Sequence, residues 1–345
     1  MLLQVGACEN CRVNENAPPG QLGLFGDARV PSRRDSEIAK RLEREHARAA
    51  QIARLLPAGV RFGTSSWSFP GWAGIVYSRR ATAASLAREG LSEYARHPLL
   101  STVGIDRTFY APISKEDLAR YAEQLPPGFP CCAKAPEAVT APVAKSAAGR
   151  RKNPDFLRPE RFLEEIVRPF QEAFADHTGP FVLQFPPAPA SERIAPAFFA
   201  ERLGLFLSAL PRTVSCAVEL RDPALLTRDY RAALEAHGAA HVYNYAGTMP
   251  MPAEQEAVIP LGSASFAMVR LLMPPGNRYE ERREALAPFE EITAPDEEMR
   301  RQVTALVRQS VSLGRTVYVL VNNKAEGCAP LTIRALAEML AGEES

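Results

Sequence analysis

The chain has 345 residues, 46% hydrophobic and 23% charged, with a formal net charge of +1. This is the composition of a globular protein long enough for one large domain or two small ones, and it excludes a strong electrostatic draw to nucleic acid or to a membrane surface. No apolar run of about 18 residues and no basic start followed by an apolar core is visible, so the expectation is a cytoplasmic protein with no membrane partner.

Six cysteines, Cys8, Cys11, Cys131, Cys132, Cys216 and Cys328, are too scattered for a disulfide scaffold and read as reduced thiols. Residues 1–34 read as a flexible tail, rich in Pro, Gly and Asn, with one apolar cluster, QLGLF. An amphipathic helix is predicted over 35–56, where Ile38, Leu42, Ala49, Ile52 and Leu56 fall near helical spacing before Pro57.

From residue 57 to 345, short runs rich in Val, Ile and Phe alternate with longer amphipathic segments. The strand candidates are GVRFGTS, STVGIDRTFY, PCCAKA, PFVLQF, SCAVELR, AAHVYNY, SFAMVRLL and TVYVLVNN. Helices are predicted over 82–96, 114–125, 158–176, 191–210, 223–237, 296–313 and 330–341; AGTMPMPAEQEAV is too broken by proline to be assigned. Eight such units match an α/β (β/α)8 TIM-type barrel, whose active site lies at the C-terminal strand ends. No G-x-G-x-x-G turn supports the alternative of an open doubly wound sheet.

Asp106, Lys134, Gln184, Glu219, Arg270 and Asn322 or Asn323 each fall late in a strand. Small or apolar residues stand two positions before most of them: Gly104, Cys132, Val182, Ala217, Met268 and Leu320. Because strand side chains alternate in direction, all six polar groups would point into one mouth. The competing reading is that some lie outside the barrel and pair with helices. Charges in such a mouth require mutual pairing, a bound ligand, or both.

The segments GTSSWSFPGW, VGIDRTFY, KAPEAVT, LQFPP, AVELRDP and VNNKAEGCAP occur in an order and spacing that resembles the YecE-like family, the domain of unknown function 72. The resemblance spans about residues 60–341. It implies a TIM-type barrel and a site drawing on Trp67, Asp106, Phe109, Tyr110, Lys134, Gln184, Glu219, Arg221, Asn322 and Asn323, but no reaction. Gly104 and Asp106 stand where that family more often has Glu and Asn, and Asn244 stands where an acid is frequent.

Trp67 and Trp72, the only tryptophans, ride on the predicted first βα loop. There they would wall a cavity for a flat or ring-shaped molecule, the alternative being that one indole plugs the barrel end. The five histidines show no metal-ligand spacing, and neither a P-loop nor a nucleophile elbow is present, so neither a metal nor another cofactor is expected. Acid, base and lysine chemistry remains. Glu219 and Asp106 are the candidate acid and base, and Lys134 is the candidate Schiff-base nucleophile or anion anchor. Trp67, Phe109, Tyr110, Gln184, Arg221, Arg270, Asn322 and Asn323 are the substrate-binding candidates.

Two further segments carry expectations. The stretch TAPVAKSAAGRRKNPDFLRPERF, long for a βα loop and rich in basic residues, reads as a basic flap or as a solvated loop. Gln21, Leu22, Leu24 and Phe25 resemble the short peptide by which bacterial DNA-processing proteins dock on the sliding clamp; the alternative is that they cover the barrel bottom or the 35–56 helix.

Overall fold

Period-two alternation of small and β-branched residues, broken by helices, is realised as an eight-stranded parallel sheet in a computed structural model. The model describes residues 32–146, 149–187, 192–262 and 264–342. In chain order the strands are β1 (Val60–Thr64), β2 (Thr102–Ile105), β3 (Cys131–Ala133), β4 (Val143–Ser146), β5 (Gly149–Lys152), β6 (Phe181–Gln184), β7 (Cys216–Glu219), β8 (Ala240–Tyr245), β9 (Phe266–Leu271) and β10 (Thr316–Val321). The large sheet runs β3-β2-β1-β10-β9-β8-β7-β6. Parallel bridges Cys131–Thr178 and Lys134–Val182 bring its two edges together, so the sheet is a nearly closed (β/α)8 TIM-type barrel.

Inward and outward faces separate cleanly. Cys132, Val182, Ala217, Val242, Met268 and Leu320 form a cluster inside the barrel, joined from below by Ala240, Phe266 and Tyr318. Their strand neighbours, such as Phe62, Val103, Leu183, Val218 and Val269, belong to the outer core beneath the helices.

The helix predicted over 35–56 spans Arg33–Ala53, begun by a capping box between Ser32 and Asp35. It lies along the last helix, Ala329–Ala341, through an Arg334–Glu45 ion pair and Arg48–Glu338 at 2.7 Å.

Three local expectations change. The unassigned AGTMPMPAEQEAV segment contains a helix, Pro252–Val258, because Pro252 occupies the first turn, where a missing N–H is harmless, and the Glu254 carboxylate caps the Met251 amide at 2.8 Å. The helix predicted over 158–176 runs from Pro159 to Ala173 with a π-helical turn at Leu163–Val167. Pro169 just beyond it cannot donate its i→i−4 bond, which the wider turn accommodates. Part of the basic stretch is regular structure, and its second strand is solvent-exposed along its whole length. It forms the β4–β5 hairpin, with Arg150 forked onto Glu192 and Asn153 Nδ2 tying its base to the Ala138 and Ala141 carbonyls at 2.6 and 2.7 Å.

Among the described residues no helix is long and apolar enough to cross a membrane, and no three His, Cys, Asp or Glu side chains gather as a metal-holding group. Gln21, Leu22, Leu24, Phe25, Cys8 and Cys11 lie outside the described residues.

Candidate functional site

Two residues above the inner layer, each of the eight barrel strands leads into a polar side chain at its C-terminal end. Alternation places Asp106, Lys134, Gln184, Glu219, Arg270 and Asn322 there, joined by Asn244 from β8 and Ser65 from the end of β1. Register agrees, since Gln184 pairs with Glu219 and Asn244 with Arg270 across adjacent strands. Ser65 escaped the sequence reading because a lone serine before a Gly, Ser and Pro loop carries no signal of its own. Only the outward placement of Phe62 and Thr64 fixes its direction.

Five charged groups form one continuous array. Arg270, fully buried, grips Glu219 with one guanidinium nitrogen, while the other reaches both Asp106 oxygens at 3.0 and 2.9 Å. Lys134 Nζ lies 2.9 Å from Asp106 Oδ2 and sits over the Phe109 ring at 5.4 Å. From the rim, Arg221 Nε donates to Glu219 Oε1 at 2.7 Å and its terminal nitrogen to Gln184 Oε1 at 3.2 Å. Thr108 locks the turn that carries Asp106 onto β3 by donating between the Ile105 and Lys134 carbonyls at 2.8 and 2.7 Å.

The electrostatics divide the roles. Burial alone would raise the Glu219 carboxyl, but Arg221, Arg270 and Lys134 outweigh it and hold Glu219 at about 2. The ionised Glu219 carboxylate in turn fixes the Arg221 and Arg270 guanidinium groups at the mouth. Burial pushes the Lys134 ammonium down, against the pull of Asp106. Asp106 is the carboxylate of the array that keeps contact with solvent, its side chain 24% exposed.

The aromatic wall is not where the sequence suggested. Trp67 is buried among core residues, packed edge-on against Tyr121 at 5.1 Å, and its indole N–H donates to the Leu86 carbonyl at 2.9 Å. Its burial under the helix Ala83–Glu89 removes it from the mouth. Trp72 is fully buried and donates to Asn323 Oδ1 at 3.2 Å. Asn323 thereby acts as a staple, also accepting from the Ala329 amide at 2.8 Å, rather than facing a substrate. Phe109 remains under Lys134, and Tyr110, 80% exposed, stands beside it. Both line an open groove with Pro136, Glu137, Arg151 and Arg161. Lys324, which the sequence reading passed over, reaches back so that Nζ lies 2.9 Å from Asn322 Oδ1 and 4.4 Å above the Tyr279 ring.

No curated protein matches the sequence significantly. Among solved structures, the chain is similar to a DUF72 family protein from Thermotoga maritima, at 20% identity over 81% of this chain and 98% of that one with a TM-score of 0.57. It is also similar to one from Enterococcus faecalis, at 17% identity over 82% and 95% with a TM-score of 0.55. Those likenesses speak for the barrel alone. The family described as "Protein of unknown function DUF72" matches residues 61–345, which hold the barrel from the second residue of β1 onward and every member of the charged array, and the chain belongs to that family.

Proposed function

We propose that the barrel mouth holds a small organic molecule against the Lys134 amine, which either anchors its negative charge or condenses with its carbonyl. The observation that carries this reading is the composition of the array. With Lys134 protonated, three cations, Lys134, Arg221 and Arg270, face two carboxylates, Asp106 and Glu219, leaving one positive charge for an anionic ligand; with Lys134 neutral the array balances and the amine is free to attack, at the strand ends where barrel enzymes work. Unpartnered buried atoms support it: Ser65 Oγ, Asn244 Oδ1 and Arg270 Nε have no protein partner, and buried polar groups ordinarily have one.

A buried amine with a lowered pKa suits Schiff-base chemistry. Neutral Lys134 would attack the carbonyl carbon, a C–N bond would form, and the carbonyl oxygen would leave as water after taking up two protons, with Asp106 positioned to carry one of them. Borohydride added to the full chain with a panel of aldehydes and ketones is expected to reduce the imine and leave a mass increment on the peptide bearing Lys134, absent from Lys134→Ala. No label across the panel removes the condensation and leaves the anchoring role. Ligand binding unchanged in both Lys134→Ala and Arg221→Ala would show that the mouth is not the site.

A second reading rests on Gln21, Leu22, Leu24 and Phe25: recruitment to a bacterial DNA sliding clamp, with the barrel acting on nucleotides or nucleic acid. Pro18, Pro19, Gly20 and Gly26 around the peptide disfavour helix and suit an extended ligand. A peptide spanning residues 16–30 is expected to bind a bacterial clamp in the micromolar range, about −8 kcal/mol, and to lose binding when Leu24 and Phe25 become Ala. Wild-type peptide that fails to bind at millimolar concentration excludes this reading.

A further inference from the structure

The loop after β10 is built more rigidly than a strand–helix connection requires, and it delivers one amine. Its first residue, Asn322, hangs from the end of β9 by donating its amide to the Leu271 carbonyl at 2.7 Å, directly beside Arg270. Asn323 is stapled by the buried Trp72 indole and by the Ala329 amide. Arg282 holds the Lys324 and Ala325 carbonyls at 3.2 and 2.9 Å. Glu326, fully buried, pairs with Arg300 and accepts the Asp296 amide at 2.7 Å, while its own carbonyl receives the Thr293 and Ala294 amides. The Lys324 side chain turns back from this frame toward the array. Asn322 Oδ1 takes one of its three N–H donors and the Tyr279 ring lies under the ammonium.

We propose that Lys324 is a second anion-binding amine of the barrel mouth and that, with Lys134, it selects ligands carrying a compact dianionic group such as a phosphate monoester. This rests on the mouth being the working site. Lys324 adds a second positive charge to an array that already carries one in excess, and the ion pair between Arg283 and Glu280 on the neighbouring helix, 3.3 Å apart, adds none. Two ammonium groups with free donors present a dianion with opposite charge from two elements, an arrangement that a monoanion uses only half. In barrels, anionic phosphate groups frequently lie at the loops after the last two strands, which here are β9 and β10.

The amine is also poised to titrate. Burial lowers Lys324 to about 8; Lys134 and Arg283 push in the same direction, and Asp106 and Glu280 oppose them. Tyr279 offers its ring face, and the Arg282 guanidinium lies on the Lys324 and Ala325 carbonyls. Inorganic phosphate is already dianionic at that pH, so its binding should weaken as pH rises through about 8 although the ligand gains no positive charge.

The test is isothermal titration of the full chain with inorganic phosphate, sulfate and nitrate, on wild type, Lys324→Met, Lys324→Arg and Lys134→Met, each checked for native circular dichroism. Phosphate and sulfate are expected to bind wild type at least tenfold more tightly than nitrate. Lys324→Met should lose that preference and the decline of binding above pH 8, and Lys324→Arg should keep the preference but lose the decline. Phosphate bound equally by wild type and Lys324→Met, with binding lost in Lys134→Met, overturns the role of Lys324 and spares the mouth. Equal binding by all variants overturns both. Nitrate bound as tightly as phosphate, or no phosphate binding by wild type, overturns the dianion assignment and leaves the Lys134 reading to borohydride trapping.

Discussion

Arg270→Met is expected to lower the free energy of unfolding by about 3–5 kcal/mol, the range for removing one partner from a buried ion pair. Arg270 is fully buried and is the bond between the two carboxylates of the array, gripping Glu219 on one side and Asp106 on the other. Without it Glu219, also fully buried, keeps only Arg221, and Asp106 keeps Lys134. The penalty comes mainly from the carboxylate left behind, so the double variant Arg270→Met, Glu219→Leu should recover part of the loss. Urea unfolding monitored by circular dichroism measures both, and a single-variant loss below about 1 kcal/mol would show that the array is not energetically coupled. The pH dependence follows from the direction of the Glu219 shift. Its folded value of about 2 lies below the ordinary unfolded value near 4.3, so its contribution is present above about pH 4.3 and is lost as pH falls through about 2. With Arg270 gone the folded carboxyl rises, and acid unfolding should begin at a higher pH than in wild type.

The array was legible because strand direction is a local property. Once Cys132, Val182, Ala217, Met268 and Leu320 are recognised as one inward layer, the residues two steps on must face the mouth, whatever the helices do. The eightfold count needed nothing more than the recurrence of such runs. Loop side chains obey no such period. Trp67 has an apolar body and one N–H, and its direction is decided by an acceptor nineteen residues away, the Leu86 carbonyl, which composition cannot announce. Asn322 and Asn323 are adjacent and chemically identical, yet one holds the Lys324 amine and the other staples Trp72 to the last helix. Lys324 was passed over for the same reason: a lysine beyond a strand end reads as solvated until the frame that bends it back is seen. The proline-broken segment after β8 stays unassigned in the sequence because proline inside a helix breaks it, whereas Pro252 stands at the first turn of Pro252–Val258, where it is a start.

Gly327→Ala is expected to destabilise the fold by roughly 2–5 kcal/mol through two independent effects, a backbone conformation closed to L side chains and a steric clash. Gly327 has φ +125°, and a Cβ there would lie 2.5 Å from the Glu291 carbonyl oxygen and 2.8 Å from the Thr293 amide nitrogen. Neither can yield by rotating a side chain, because both are backbone and Thr293 is itself bonded to the Glu326 carbonyl at 2.8 Å. The loop must therefore move, and with it the Asn323 staple and the frame that holds Lys324. Gly314→Ala separates the two effects: Gly314 has φ +72° with nothing within 4 Å of a Cβ, so it should cost only about 1 kcal/mol. Thermal unfolding of the two variants side by side decides the matter. Equal losses would mean that conformation alone acts at Gly327. A larger loss at Gly327, accompanied by weaker phosphate binding that Gly314→Ala does not show, would tie the rigidity of this loop to the placement of the Lys324 amine.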